Sequence, residues 1–379
     1  MQLNPLALAL STAGGSRFNP TRLFLDASQG FWLDASDVST MFQDSAGTTP
    51  VTALGDPVGR WLDKSGRGNN FVQTTSGARP VWGSWPLSAA IAGRVRNLLS
   101  ATTTLATQSR TVTAVSHTLS FKGTGTVTLS GASTAGPLVG TGDDDRVSLV
   151  FTPSAASLTL TVSGSVTDAQ LEIGTLTAYQ RVGVSSRYDV SEAGQPQVYF
   201  VSPDGVDDFL VSAANVNLSA ADKVFVCAGL SKKADTATAV VLEHTASIAA
   251  NNGAFNILAP RTGNASSYEY ESKGTAQSEA SVALALHPAP KTNIVSGLSV
   301  ISTDSNNIRI DGASAATAAT DQGTGNYANA LTYIGARAGT SLFSSANIYQ
   351  IIAVGKTPTT SELNATETFV AQKTKGSLA

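Results

Sequence analysis

The sequence predicts an all-β protein built from antiparallel sandwiches, and three observations predict it. Apolar and hydroxyl-bearing residues alternate with period two in one short segment after another. Clusters of Gly, Ser and Asp separate these segments at the spacing expected of sandwich strands. Helical periodicity is confined to one stretch near the C-terminus. Composition agrees. The 379 residues include 88 Ser plus Thr and 34 Gly, and only 13% are charged, against about 25% in an ordinary soluble domain. Uncharged polar groups must therefore cover the surface, and the branched Cβ of Thr suits a pleated strand.

From the N-terminus, MQLNPLALALSTAGG carries an apolar stretch from Leu6 to Leu10 with no Lys or Arg before it. A secretory signal needs that positive charge, so residues 1–21 read as an anchoring arm. Leu3, Leu6, Leu8 and Leu10 are its docking residues. The next segment, Thr21 to Pro86, holds all four Trp: Trp32, Trp61, Trp82 and Trp85. Between Ala101 and Gly183 the composition shifts to 28 Ser or Thr and 9 charged residues. There Val127 and Leu129 alternate with Thr126, Thr128 and Ser130. Leu158, Leu160 and Val162 alternate with Thr159, Thr161 and Ser163. Ala169, Leu171 and Ile173 alternate with Asp168, Gln170 and Glu172.

A second run of strands is predicted at Val198–Val201, Phe209–Val211, Lys223–Leu230, Val240–Leu242, Ala254–Leu258, Ser267–Glu271, Asn293–Ile301, Asn307–Asp311, Leu331–Ile334 and Ile348–Val354. The chain then predicts one helix. Thr359 and Glu362 form a capping box, and Leu363, Thr366, Phe369 and Val370 make a narrow inward stripe.

Several function classes are excluded at this level. No apolar run reaches the roughly 18–20 residues that span a bilayer, so no membrane insertion is expected. A net charge of −3 and a pI near 5.6 provide no field for nucleic acid. The single cysteine, Cys227, excludes an internal disulfide framework and a Cys-based zinc site.

Particular residues also resemble a known family. Gly30 to Trp82 resembles the opening of a recurrent family of bacteriophage virion proteins. SPDGVDDFLV (Ser202–Val211), NIRIDG (Asn307–Gly312), LTYIGAR (Leu331–Arg337) and NIYQIIAVGKTPTTSEL (Asn347–Leu363) resemble its later pieces. The resemblance implies a concanavalin-A/laminin-G-like antiparallel β-sandwich with a short C-terminal helix, interrupted by about a hundred residues. The interruption opens with Arg94–Ala114 and closes with Ser165–Val182. These resemble the first and last strands of carbohydrate-binding-module-like sandwiches. The implied organisation is an arm at 1–21, a first jelly-roll part at 22–91, an inserted smaller sandwich at 92–184 and a second jelly-roll part at 185–379. Surface loops tolerate such insertions.

Glycosidases use two carboxylates, and relatives of the larger fold include glucanases whose strand carries Glu, Asp and Glu at alternate positions. Tyr268-Glu269-Tyr270-Glu271 is the nearest approach. It lacks the central Asp. Its two acids would lie on one face, about 7 Å apart along the strand, and are expected in water with the tyrosines inward. His117, His244 and His287 fall into no metal-binding spacing, and no nucleophile elbow occurs. Asp143-Asp144-Asp145 reads as a solvated hairpin tip. Asp204, Asp207 and Asp208 around Gly205 read as a tight turn. Calcium is the ion either cluster would take, although neither follows an EF-hand pattern, and no cofactor is expected. Glycan binding would need exposed aromatic rings. Trp82 and Trp85 are candidates, with packing along the seam between the sandwiches as the favoured alternative; Tyr268 and Tyr270 complete the candidate set.

The expectation is a non-enzymatic virion structural protein, made in a bacterial host's cytoplasm and displayed as a tail fibre, spike or head decoration. Its partners would be other virion proteins, copies of itself and host cell-surface polysaccharide. A glycan-depolymerising enzyme and a purely structural capsid cement protein are the alternatives.

Overall fold

The computed structural model describes residues 18–86, 97–182 and 197–374. Leu3, Leu6, Leu8 and Leu10 lie outside these residues, as do the expected boundaries at 91/92 and 184/185. The first piece contributes β1 (Gly30–Asp34), β2 (Met41–Phe42), β3 (Arg60–Trp61), β4 (Phe71–Val72) and β5 (Val81–Pro86). The middle piece contributes β6 (Gln108–Thr111), β7 (His117–Gly123), β8 (Thr126–Gly131), β9 (Leu138–Val139), β10 (Gly142–Phe151), β11 (Ser157–Ser163) and β12 (Thr167–Ile173). The last piece begins with β13 (Gln197–Ser202), β14 (Leu210–Ser212), β15 (Val216–Asn217), β16 (Lys223–Lys232), β17 (Val240–His244), β18 (Ala254–Leu258) and β19 (Ser266–Lys273). It continues with β20 (Gln277–Ala283), β21 (Lys291–Val300), β22 (Ser305–Ile310), β23 (Ala313–Ala318), β24 (Asn329–Ala330), β25 (Thr332–Ile334) and β26 (Asn347–Val354), and ends in α1 (Thr360–Thr374).

Among the described residues the fold is all-β: a larger antiparallel sandwich, a smaller sandwich inserted in it, and one C-terminal helix. One large sheet runs β23-β22-β21-β16-β26-β13-β5, with β1 also on β26. The other runs β2-β3-β4-β14-β25-β17-β18-β19-β20. Strands from both sides of the interruption share each sheet. Gly30 to Asp34 pair with Val354 to Gln350, Val72 pairs with Val211, and Trp82 pairs with Val201. Pro86 lies directly across from Gln197, so the chain leaves the large sandwich and returns to it at neighbouring cross-strand positions.

Alternation explains the core between these sheets. Phe31 and Leu33, Val224 and Val226, Ile308 and Ile310 all point inward and are fully or nearly buried. Trp61 and Leu210 belong to the same core. Gly297 is required by close packing: a Cβ there would come within 2.4 Å of the Tyr270 ring.

The outer face of the first sheet is covered by α1 and by a 3-10 turn at Pro20–Phe24. Leu23, Phe24, Trp32, Cys227, Ile352, Val370 and Ala371 form that second layer. Phe18 packs edge-on against Phe369, so the last residues of the expected arm lie on the protein's own body. The capping box forms as the sequence predicts. Thr359 Oγ1 accepts from the Glu362 N–H at 3.2 Å, and the Glu362 carboxylate accepts from the Thr359 N–H at 2.8 Å.

The smaller sandwich has sheets β10-β7-β12 and β6-β11-β8-β9. Leu119, Phe121, Val127, Leu129, Leu158, Leu160, Ala169 and Leu171 fill it. Thr128, Ser130, Thr161 and Ser163 face water as the alternation predicts. β12 departs from the pattern. Gln170 and Glu172 on its polar face are buried, because the chain folds back over them: Thr177 donates to Glu172 and the Gln180 N–H donates to Gln170, while Ile173 at its end is exposed. Asn97 bonds to Gln180, which holds the two ends of this sandwich together.

Candidate functional site

The four aromatic residues expected as a glycan platform are all buried, which corrects that expectation. Trp82 faces the large core, stacks on Tyr199 at 5.2 Å and donates its indole N–H to the Ala35 carbonyl at 2.9 Å. Trp85 lies on the outer face of the first large sheet in a cluster with Val182, Val198, Phe200 and Tyr349. Val182 belongs to the inserted piece, so Trp85 packs the seam, as the alternative reading of that residue has it. Tyr268 and Tyr270 point between the large sheets and donate to Asn293 Oδ1 and meet Ser299 Oγ, each at 2.9 Å. The physical reason is common to all four. A large ring yields most when its whole surface leaves water, and the polar atoms of Trp82, Tyr268 and Tyr270 each keep a partner.

The acids beside those tyrosines are a second correction. Glu269 and Glu271 do point away from the core, yet both are 0% exposed. The reach of Arg261 and Asn264 over the sheet covers them. The Arg261 guanidinium lies 2.8 Å from Glu271 Oε1 and 3.6 Å from Glu269 Oε1. Gln277 donates to Glu271 at 3.1 Å, and Asn256 donates to its other oxygen. Ser281 and Asn264 donate to Glu269 Oε2 at 2.6 and 2.9 Å. Glu279 joins the pair, one oxygen of each acid lying within 4.8 Å of the others.

Burial pushes the Glu271 carboxyl up to about 7; Asn256 and Arg261 oppose that rise, and the neighbouring Glu269 adds to it. Glu243 on β17 is held in the same way by Arg337, at 2.9 Å. The cross-strand register makes Glu279, Glu271, Asn256 and Glu243 one row across the sheet. Glu271 thus stands between Glu279 and Asn256 in the row. Glu271 and Glu269 would offer a substrate no exposed oxygen in this arrangement.

The aspartate clusters differ from each other. Asp143, Asp144 and Asp145 are exposed and occupy the irregular start of β10, where the register with β7 shifts between Gly142 and Val147. Asp204, Asp207 and Asp208 form the expected turn before β14. Asp204 Oδ1 accepts from the N–H groups of Val206 and Asp207, and Asp208 Oδ2 accepts from the Asp204 N–H. Gly205 has φ +84°, and a Cβ there would stand 3.1 Å from Ser345. Two of the three histidines are packed in cores, and His287 is half-buried beside the Tyr268 ring. His244 is flanked by Thr332 and the Ala328 carbonyl, and burial pushes it down to about 4. His117 is fully buried beside Phe151.

That aspartate turn borders a cleft of about 190 Å³. Four crossings build it at one rim of the large sandwich. The turn joins β13 to β14; residues 233–239 join β16 to β17; Ala259 and Pro260 follow β18; Phe343 to Ala346 precede β26. Its walls include Asp204, Lys232, Lys233, Thr236, Phe343 and Ser345. Lys232 is 1% exposed. Its ammonium is paired with the Asp235 carboxylate, donates to Ser267 Oγ at 2.8 Å and lies over the Tyr268 ring. Burial pushes its pKa down, and Asp235 opposes that shift. Lys233 donates to Ser202 Oγ at 2.8 Å. The aspartate turn was visible in the sequence. Its partners were not, because they lie some 30 to 140 positions further on and only sheet crossing brings them to it.

No family model matches the chain, and no curated protein matches it. Among solved structures it is similar to part of the NanB sialidase of Streptococcus pneumoniae, at 14% identity over 38% of this chain and 23% of that one, TM-score 0.31. It is similar to the receptor-binding domain of a botulinum neurotoxin C/D mosaic serotype, at 12% identity over 42% and 40%, TM-score 0.33. It is also similar to the CBM40 of a Ruminococcus gnavus sialidase bound to sialyllactose, at 14% identity over 40% and 83%, TM-score 0.31. The chain spans about a quarter of the length of the sialidases it matches. These are likenesses of partial outline, and nothing about activity passes from them to this chain.

Proposed function

We propose that this chain is a non-enzymatic bacteriophage virion structural protein, displayed as a tail fibre, spike or head-decoration component, that adheres to host-surface polysaccharide. The observation that carries the adhesive part is the rim cleft. Carboxylate, hydroxyl and aromatic groups from four loops converge there on a rigid scaffold, the usual placement of binding residues. The virion part rests on the resemblance of Gly30–Trp82 and the later motifs, whose strands share both large sheets. Homo-oligomeric assembly and contact with other virion proteins belong to the same reading. Electron microscopy of particles labelled with antibody to this chain tests display. A glycan array probed with the purified chain tests adhesion. Unlabelled particles overturn the first part, and a blank array overturns the second.

One observation favours a second reading, a glycan-depolymerising enzyme. Burial raises the Glu271 carboxyl to about 7 beside another carboxylate, the direction an acid catalyst needs, and this reading requires Arg261 and Asn264 to move aside and uncover the pair. Release of reducing ends from host capsule, abolished by Glu269→Gln, would establish it in place of the first.

A further inference from the structure

The chemistry of the rim cleft narrows what it can hold. A volume of about 190 Å³ corresponds to about six waters at liquid density, well below the roughly 300 Å³ where pockets for drug-sized ligands begin. It suits one small polar ring and not a length of polymer. Phe343, partly exposed on the wall, supplies the only aromatic surface among the lining residues. Apolar C–H faces of a sugar ring pack on such a surface.

The charges argue against an acidic ligand. Asp204 stands on the wall, with Asp207 and Asp208 in the same turn. A ligand carboxylate would meet that negative edge. Lys232 is already neutralised by Asp235, which leaves Lys233, donating to the neutral Ser202 hydroxyl, as one positive charge against the three carboxylates of the turn. Asp204 is meanwhile well placed to accept from hydroxyls. Its Oδ1 is fixed by two backbone N–H groups, which orients the carboxylate and leaves Oδ2 for donors on a ligand. Hydrogen bonds to a charged acceptor are among the stronger neutral-ligand contacts.

We infer that the rim cleft takes a single neutral sugar ring, the terminal residue of a surface glycan, with its hydroxyls on Asp204 and its C–H face on Phe343. This rests on the glycan-adhesion reading and sharpens it: recognition is of chain ends, and of uncharged ones.

The test uses the full chain with the methyl glycosides of glucose, galactose, mannose and N-acetylglucosamine, and with N-acetylneuraminic acid as the acidic comparison. Binding is read by saturation-transfer NMR and titration calorimetry. At least one neutral glycoside is expected to bind. Asp204→Asn and Phe343→Ala should each weaken it by about tenfold or more, with melting temperature and amide spectrum retained. Three results overturn the inference: no neutral glycoside binds, the acidic sugar binds more tightly, or both folded variants bind undiminished. The first and last leave adhesion itself standing if the chain still retains host polysaccharide on an array. A blank array removes adhesion and this inference together.

Discussion

Two buried groups set opposite pH dependences, and each can be isolated by one substitution. The folded value of Glu271 is about 7, above the ordinary 4.5, so the folded state binds the proton more tightly between those values. Its contribution is fully present below about pH 4.5 and is lost as pH rises through 7. The folded value of His244 is about 4, below the ordinary 6.5. Its contribution is present above 6.5 and lost as pH falls through 4. Between about pH 4.5 and 6.5 the two nearly cancel. Urea unfolding across this range should show Glu271→Gln gaining stability relative to the parent as pH rises, by at most about 3 kcal/mol. A difference that stays flat would mean Glu271 ionises normally. At the same cluster, Arg261→Met should cost about 2 kcal/mol at neutral pH, since two buried acids lose their shared cation. That is below the cost for a fully buried pair because Arg261 is about a quarter exposed. An unchanged midpoint at pH 7.5 would contradict the geometry of that pair.

Among the elements, α1 and β21 make the sharpest cases. The capping box satisfies two N–H groups at the start of α1. Thr359→Ala should cost about 1 kcal/mol and speed amide exchange in the first turn of the helix. Equal exchange rates would show that packing on the sheet, not the cap, holds that end. On β21, Gly297→Ala would drive a methyl into the Tyr270 ring. The ring sits in a fully buried layer with its hydroxyl on Ser299, so it has little room to yield. The expected loss is about 1–3 kcal/mol, read as a lowered denaturant midpoint. A neutral result would mean the two large sheets lie further apart than described.

For the molecule as a whole, much of the fold was legible because strands declare themselves locally. Ala254–Leu258 is a strand over the very residues the alternation marks, and most others match within two positions. The sequence could not show what covers a strand's second face. β12 and β19 both read as half-solvated, yet residues 174–182 fold back over one and Arg261 and Asn264 over the other. That error placed Glu269 and Glu271 in water. The same blindness applied to rings: Trp82, Trp85, Tyr268 and Tyr270 could be weighed as a platform only because burial is a tertiary property. The rim cleft was illegible for a related reason, as its walls are assembled by crossings between sheets.

The shared sheets are the central claim, since the cleft exists only if β13–β14, β16–β17 and β25–β26 close on one body with β1 and β5. Pro86 and Gln197 are cross-strand neighbours, so a short Gly/Ser linker can replace residues 87–196. Amide spectra of the full chain and of that shortened chain measure the claim directly. The account predicts superimposable resonances for β1 to β4 and β14 to β25, with changes confined to the seam around Trp85, Val198, Phe200 and Tyr349. Loss of dispersion across the large sheets would contradict it.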